Sequence, residues 1–146
     1  MVLALDTCLN ACSVAVLDGE TVLAHHREVM ARGHQERLAP MAQAAMAEAG
    51  RAFSDLDRIG VTVGPGSFTG LRVGVAFAKG LASAQGRPAV GVSTLEALAA
   101  GSPGLVAAAL DARRDQLYLQ VFEAGQPLMA PDVLAVGMAG ARLVEL

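Results

Sequence analysis

Tryptophan is absent from this 146-residue sequence, tyrosine occurs once and phenylalanine four times. So few rings leave little for bases to stack on, and a net charge of −3 supplies no basic surface, which argues against nucleic-acid binding by this chain alone. Any role with RNA would need a basic partner. Cysteine appears twice, as Cys8 and Cys12, spaced C-x-x-x-C with no second pair and no histidine nearby. That spacing fits neither a zinc site nor a redox pair and reads as two reduced, half-buried thiols. No apolar stretch approaches the ~20 residues of a membrane span. Met1 to Leu5 is too short for a secretory signal and lacks its basic start. The expectation is a cytoplasmic protein with no membrane partner. Charged residues are scarce beside hydrophobic ones, 17% against 53%, so the chain has ample material for a core and no mark of disorder.

What the chain does have is a glycine-proline junction, Gly64-Pro65-Gly66-Ser67-Phe68-Thr69-Gly70-Leu71-Arg72-Val73-Gly74. The apolar run Ile59 to Val63 breaks there and restarts as a helix predicted over about Ser67 to Gln85. Pro65 fixes its own φ between two permissive glycines, and Ser67 is placed to cap the helix. Only Arg72 and Lys79 carry charge over nearly five turns, so this helix is expected to be buried on more than one side. Gly70, Gly74 and Ala78 recur every four residues and form a smooth face. Packing of that face on the chain's own sheet is the plain reading. Close approach of a second helix is the other.

In order, Val2 to Leu5, Cys12 to Leu17 and Thr21 to Glu28 read as strands, the last two joined at Asp18-Gly19, a strong hairpin signal. His25 and His26 would point to opposite faces of the third strand and could not chelate one metal together. Gly33 to Ala49 places Leu38, Met41, Ala42, Ala45, Met46 and Ala49 on one helical stripe opposite Gln35, Glu36, Gln43 and Glu48. Ser54 to Asp57 is a turn or one helical turn, Ile59 to Val63 a fourth strand and Ala89 to Val92 a fifth. Ser93 caps a short helix to about Ala100. Gly101-Ser102-Pro103-Gly104 is the clearest linker, and beyond it Leu105 to Leu110 and Gln116 to Phe122 read as strands, with a further strand or loop from Gly125.

Three antiparallel strands followed by parallel ones through helical crossovers predict an α/β ribonuclease H-like domain over residues 1–100. A second, similar domain begins at 105–146 and looks truncated at Leu146. Two such lobes make the architecture of actin, Hsp70 chaperones and sugar kinases, the actin-like ATPase (ASKHA) fold. Fold alone does not give the chemistry.

The glycine turn is not a Walker loop, because Leu71 rather than lysine follows Gly70, and it misses the dinucleotide fingerprint, because Thr69 stands where the third glycine belongs. Asp6 and Thr7 end the first strand where two-lobed ATPases place a metal-associated carboxylate. Cys8 replaces the glycine expected there, and the matching turn Asp111 to Asp115 holds no glycine and two arginines. Asp6 and Thr7 thus mark a degenerate nucleotide site.

Leu3-Ala4-Leu5-Asp6-Thr7, Ala11-Cys12-Ser13-Val14-Ala15, His34-Gln35, the Gly64 to Gly74 run, Gly91-Val92-Ser93-Thr94-Leu95 and Leu110-Asp111-Ala112-Arg113 together resemble the TsaB family, also called YeaZ. The resemblance implies a non-catalytic subunit that works with TsaD and TsaE to place threonylcarbamoyl on N6 of adenosine 37 in tRNAs reading codons that start with A. It implies no cofactor in the isolated chain, ATP and metal belonging to the partner subunits, and tRNA contact only through the complex. In the paralogue TsaD two histidines one helical turn apart hold a metal. The aligned positions here are Thr94 and Leu98, so a metal site, and with it peptidase activity, is not expected.

By the same resemblance the two long helices should dock on TsaD, or on a second copy, as a four-helix bundle. The implied interface is Leu38, Met41, Ala42, Ala45, Phe68, Gly70, Arg72, Val73, Gly74 and Phe77, and Gly74→Arg is expected to break docking without unfolding the chain. The alternative from another class is a free-standing ATP-dependent kinase of the same two-lobed fold.

Overall fold

Strand β1 (Val2–Asp6) alternates buried Leu3 and Leu5 with half-buried Val2, Ala4 and Asp6, the period-two pattern of a strand with one face on a core. In the computed structural model, which describes residues Met1 to Glu145, β1 pairs antiparallel with β2 (Ala11–Asp18). Strand β2 in turn pairs antiparallel with β3 (Thr21–Val29), and Gly19 at φ 58° makes the hairpin turn between them. Helix α1 (His34–Glu48) leads to β4 (Arg58–Thr62), parallel to β1, and helix α2 (Phe68–Gln85) leads to β5 (Ala89–Val92), parallel to β4. The sheet order is β3-β2-β1-β4-β5. This is the ribonuclease H-like arrangement expected from the strand and helix order, and it puts β1, with Asp6 at its end, in the middle of the sheet.

Both helices lie on one face of that sheet. Leu3, Leu5, Val14, Val16, Ile59 and Val61 from the strands meet Leu38, Met41, Ala42, Ala45 and Met46 of α1 and Ala78 and Ala82 of α2 in a single core. Ser67 caps α2 by accepting from Gly70 N at 3.2 Å, and Gly86 ends it in the left-handed region at φ 60°. One expectation fails here. The fully buried residues of α2 are Gly70, Gly74, Ala78 and Ala82, one narrow stripe. The small residues let the helix backbone sit close on the sheet, so the larger apolar side chains flank the contact and stay partly exposed.

Met1–Val92 form one structural unit and the residues from Ser93 onward a second. The boundary thus falls before α3 (Thr94–Ala99) and not at Gly101 to Gly104. The glycines mark a turn, but side-chain packing decides membership, and Leu95 and Ala99 pack on Ala108 and Phe122 of the second unit. There β6 (Leu105–Arg113) and β7 (Gln116–Glu123) form an antiparallel hairpin, and β8 (Gln126–Pro127) and β9 (Asp132–Ala135) both pair antiparallel with β7. A short helix, α4 (Ala139–Val144), follows. In strand pairing, β6-β7-β8/β9 follows the order of β1-β2-β3 with the third strand broken in two.

Candidate functional site

The residues that end β1 are held from three sides. Asp6 Oδ1 accepts from Thr62 Oγ1 at 2.6 Å and from Cys8 N at 3.0 Å. Thr7 is fully buried and its hydroxyl donates to Gly70 O at 2.6 Å. Ser67 N donates to Cys8 O at 2.7 Å, and the Cys8 thiol donates weakly to Thr62 O at 3.5 Å. Closeness explains the glycines: a Cβ on Gly66 would fall 2.4 Å from Cys8 O, one on Gly70 1.9 Å from Thr7 O, and one on Gly74 2.4 Å from Thr7 Oγ1. The start of α2 therefore lies directly on the Asp6-Thr7-Cys8 backbone, and the polar groups a phosphate would need are engaged within the chain.

The matching turn of the second unit is a tight hairpin. Arg113, Arg114 and Asp115 all adopt positive φ, at 67°, 53° and 57°, and Asp111 Oδ1 accepts from Arg113 N at 2.7 Å. Such a run matches the right-handed twist of the strands it joins. It turns the chain tightly, and the Asp111 carboxylate already takes up the Arg113 amide.

On the outer side of the first unit, α1 and α2 border a groove of about 510 Å³ lined by Gln35, Leu38, Thr69, Arg72, Val73 and Phe77. It shares Gln35, Thr69 and Val73 with a hollow of about 320 Å³ where the two helices begin, bordered also by Arg32, His34 and Glu36. Phe68 stands at this end with 74% of its surface exposed, and the Arg72 guanidinium carbon lies 5.5 Å from its ring centroid. A ring that open is unusual, because exposing Phe forgoes roughly 2 kcal/mol of burial.

Four of the ten residues expected at the interface, Phe68, Arg72, Val73 and Phe77, are at least partly accessible on this outer side. The other six are not free. Leu38, Met41, Ala42 and Ala45 are each 4% exposed or less because the α1 stripe faces the chain's own sheet, and only Leu38 reaches the groove floor. Gly70 and Gly74 lie on Thr7 and Val61. A helical stripe of apolar residues has the same period whether it faces a core or a partner. Gln35 and Thr69, which the sequence reading left out, line the groove. Their signal was available, since Thr69, Arg72, Val73 and Ala76 follow i, i+3, i+4, i+7 spacing.

The histidines stay apart. His25 bonds Ser13 Oγ, His26 reaches across to the Glu48 carboxylate, and His34 Nε2 bonds Leu9 O. Among the described residues no three His, Cys, Asp or Glu side chains converge as metal ligands. Thr94 is buried on α3, and Leu98, one turn on, is 45% exposed. Cys8 and Cys12 are free and fully buried, where half-burial was expected. Burial, then the nearby Glu28 carboxylate, pushes the Cys12 thiol up, with Arg37 opposing. Among the described residues no helix is long and apolar enough to cross a membrane.

Comparison with known proteins places these features in a family. The family model described as "TsaD: tRNA N6-adenosine threonylcarbamoyltransferase" matches residues 24–137. The tRNA threonylcarbamoyladenosine biosynthesis protein TsaB of Escherichia coli is 41% identical over 122 residues, covering 80% of this chain and 52% of that protein. TsaB of Bacillus subtilis is 37% identical over 125 residues, covering 84% and 55%. The chain thus spans about half the length of the curated relatives it matches. Among solved structures, YeaZ from Pseudomonas aeruginosa superposes with a TM-score of 0.84 at 40% identity, covering 92% of this chain and 67% of that one. The ROK hexokinase of Thermus thermophilus, at 24% identity and a TM-score of 0.54 over 88% of this chain and 48% of its own, shares the fold alone.

Proposed function

Because the chain belongs to the TsaB (YeaZ) family, we propose that it serves as a non-catalytic subunit in tRNA threonylcarbamoyladenosine synthesis. Its task is to dock TsaD through the outer face of α1 and α2, with TsaE as a further component of the complex, in the cytoplasm. The observation that carries this reading is the groove bounded by Leu38, Thr69, Arg72, Val73 and Phe77 beside a largely exposed Phe68. An apolar trough between two side-by-side helices suits the ridges of another helix, and a second helix pair laid on it would complete a four-helix bundle. TsaD fits as occupant because the chain matches the transferase's family model, so TsaD would carry the same helix pair and could meet this one face to face.

Several features favour a supporting role over a catalytic one. The carboxylate of Asp6 and the amide of Cys8 bond each other, and α2 covers the loop where a nucleotide phosphate would sit. Thr94 and Leu98 hold the places of the family paralogue's paired histidines and offer no imidazole. The chain is acidic overall, so tRNA would be met through the complex and not by this subunit alone. The kinase alternative finds no cradle for phosphate at either turn.

Size-exclusion chromatography of the chain mixed with TsaD from the same organism tests the reading. Co-elution that Val73→Glu abolishes, with circular dichroism unchanged, is the expected result, since a charge on the groove wall would be buried without a partner. Co-elution unaffected by Val73→Glu would place the contact elsewhere.

A further inference from the structure

Arg72 is the one basic residue that borders the 510 Å³ groove, and among the described residues no carboxylate lies within ion-pairing distance of it. Its own helix offers no help: α2 carries Arg72 and Lys79 and no acidic residue. The charge also sits in the second turn, toward the positive end of the helix dipole, where a cation is disfavoured. Its guanidinium carbon lies 5.5 Å from the centroid of Phe68, a ring that is itself 74% exposed. In water this arrangement is tolerable. Once another surface covers the groove, the guanidinium loses its hydration, and a buried unpaired charge is among the costliest groups a protein can hold.

Resting on the docking role assigned above, we infer that the partner helix presents a carboxylate, Asp or Glu, that forms a bidentate pair with Arg72. Small or apolar residues of the same helix pack on Val73 and Phe77. Arginine suits this role in particular, because its planar guanidinium can give two parallel hydrogen bonds to one carboxylate while staying beside the Phe68 ring. Gln35 and Thr69 flank it at the groove margin and provide further hydrogen-bonding groups. Arg72 then acts as the specificity residue of the interface. An RNA backbone would also welcome a guanidinium, but Leu38, Val73, Ala76 and Phe77 make most of the wall apolar, and Arg72 is the one cation bordering it where a phosphate backbone calls for several.

The test uses the full chain and the transferase from the same organism, with dissociation constants measured by calorimetry for wild type, Arg72→Met, Arg72→Glu and Val73→Glu. Arg72→Met keeps the stem's bulk and should weaken binding at least ~30-fold, the low end for truncating one member of a buried charge pair. Arg72→Glu should weaken it further, and an Asp or Glu to Lys change on the partner helix should restore it. If both Arg72 variants bind within twofold of wild type while Val73→Glu does not bind, the docking face stands and the carboxylate pairing is wrong. If Val73→Glu also binds normally, the docking role itself fails. If the binary complex is untouched by Arg72→Met and only tRNA binding by the assembled complex drops, Arg72 serves RNA and the inference is overturned.

Discussion

Replacing glycine by alanine inside an exposed helix ordinarily stabilises it by about 1 kcal/mol, and Gly70 and Gly74 both lie in the body of α2. The structure predicts the opposite sign. A Cβ on Gly74 would meet Thr7 Oγ1 at 2.4 Å and Val61 Cγ2 at 3.3 Å. Either α2 lifts from the sheet or Thr7 rotates and gives up its 2.6 Å hydrogen bond to Gly70 O. Overpacking of this kind costs about 1–3 kcal/mol and the lost hydrogen bond about 1 kcal/mol, against the 1 kcal/mol gained from propensity. Gly74→Ala should therefore destabilise by about 1–3 kcal/mol. Gly70→Ala should cost about 3 kcal/mol or more, because its Cβ would fall 1.9 Å from Thr7 O, a backbone atom with no rotamer to escape into. Thr7→Ala separates the two. It removes the hydroxyl, so in that background Gly74→Ala should lose most of its cost while Gly70→Ala keeps its own. Urea denaturation followed by far-ultraviolet circular dichroism measures all four terms. Stabilisation by Gly70→Ala, or equal rescue of both glycine variants by Thr7→Ala, would refute the packing argument. Gly74→Arg, expected from the sequence to leave a folded chain, should on this geometry fail to fold.

Other substitutions separate docking from stability. Phe68→Ala should leave stability within about 0.5 kcal/mol, since the ring is mostly solvated, yet weaken TsaD binding by about 2 kcal/mol or more if it is an interface anchor. Asp6→Ala strips the acceptor from Thr62 and Cys8 and should destabilise by about 1–3 kcal/mol. Calorimetric titration with ATP should give no binding heat for wild type or this variant. Micromolar ATP binding that Asp6→Ala abolishes would restore the kinase reading. Cys12 is raised in the folded state by burial first, so its contribution to stability is complete below the ordinary thiol range and is lost as pH climbs past it. Urea midpoints measured across that range should fall for wild type and stay flatter for Cys12→Ala.

The sheet was legible because its signals are local. Short apolar runs mark β1 and β2, Asp18-Gly19 turns the hairpin, and Ser67 and Gly86 bound α2. The outer groove was only half legible. Leu38, Met41, Ala42 and Ala45 form as regular a stripe as any interface helix, and nothing in their spacing says that β2 and β3 already cover them. The phase of α2 held the answer. Gly70, Gly74, Ala78 and Ala82 at four-residue intervals mark the side that sits closest to the sheet, which turns Phe68 and Arg72 outward. The domain boundary was misplaced for a related reason, because Gly101 to Gly104 is a chain-flexibility signal, whereas the attachment of α3 rests on Leu95 and Phe122, far apart in sequence.

As proposed, this chain supports threonylcarbamoyl transfer without performing it. The direct measurement is a reconstituted reaction on unmodified tRNA with TsaD and TsaE from the same organism and a supply of activated threonylcarbamoyl donor. Modified adenosine is quantified by mass spectrometry with wild-type chain, with Val73→Glu, and with no chain added. Modification with the wild-type chain only, and none from the chain incubated alone with tRNA and donor, is the expected result. Equal modification in its absence, or transfer catalysed by the chain by itself, would contradict it.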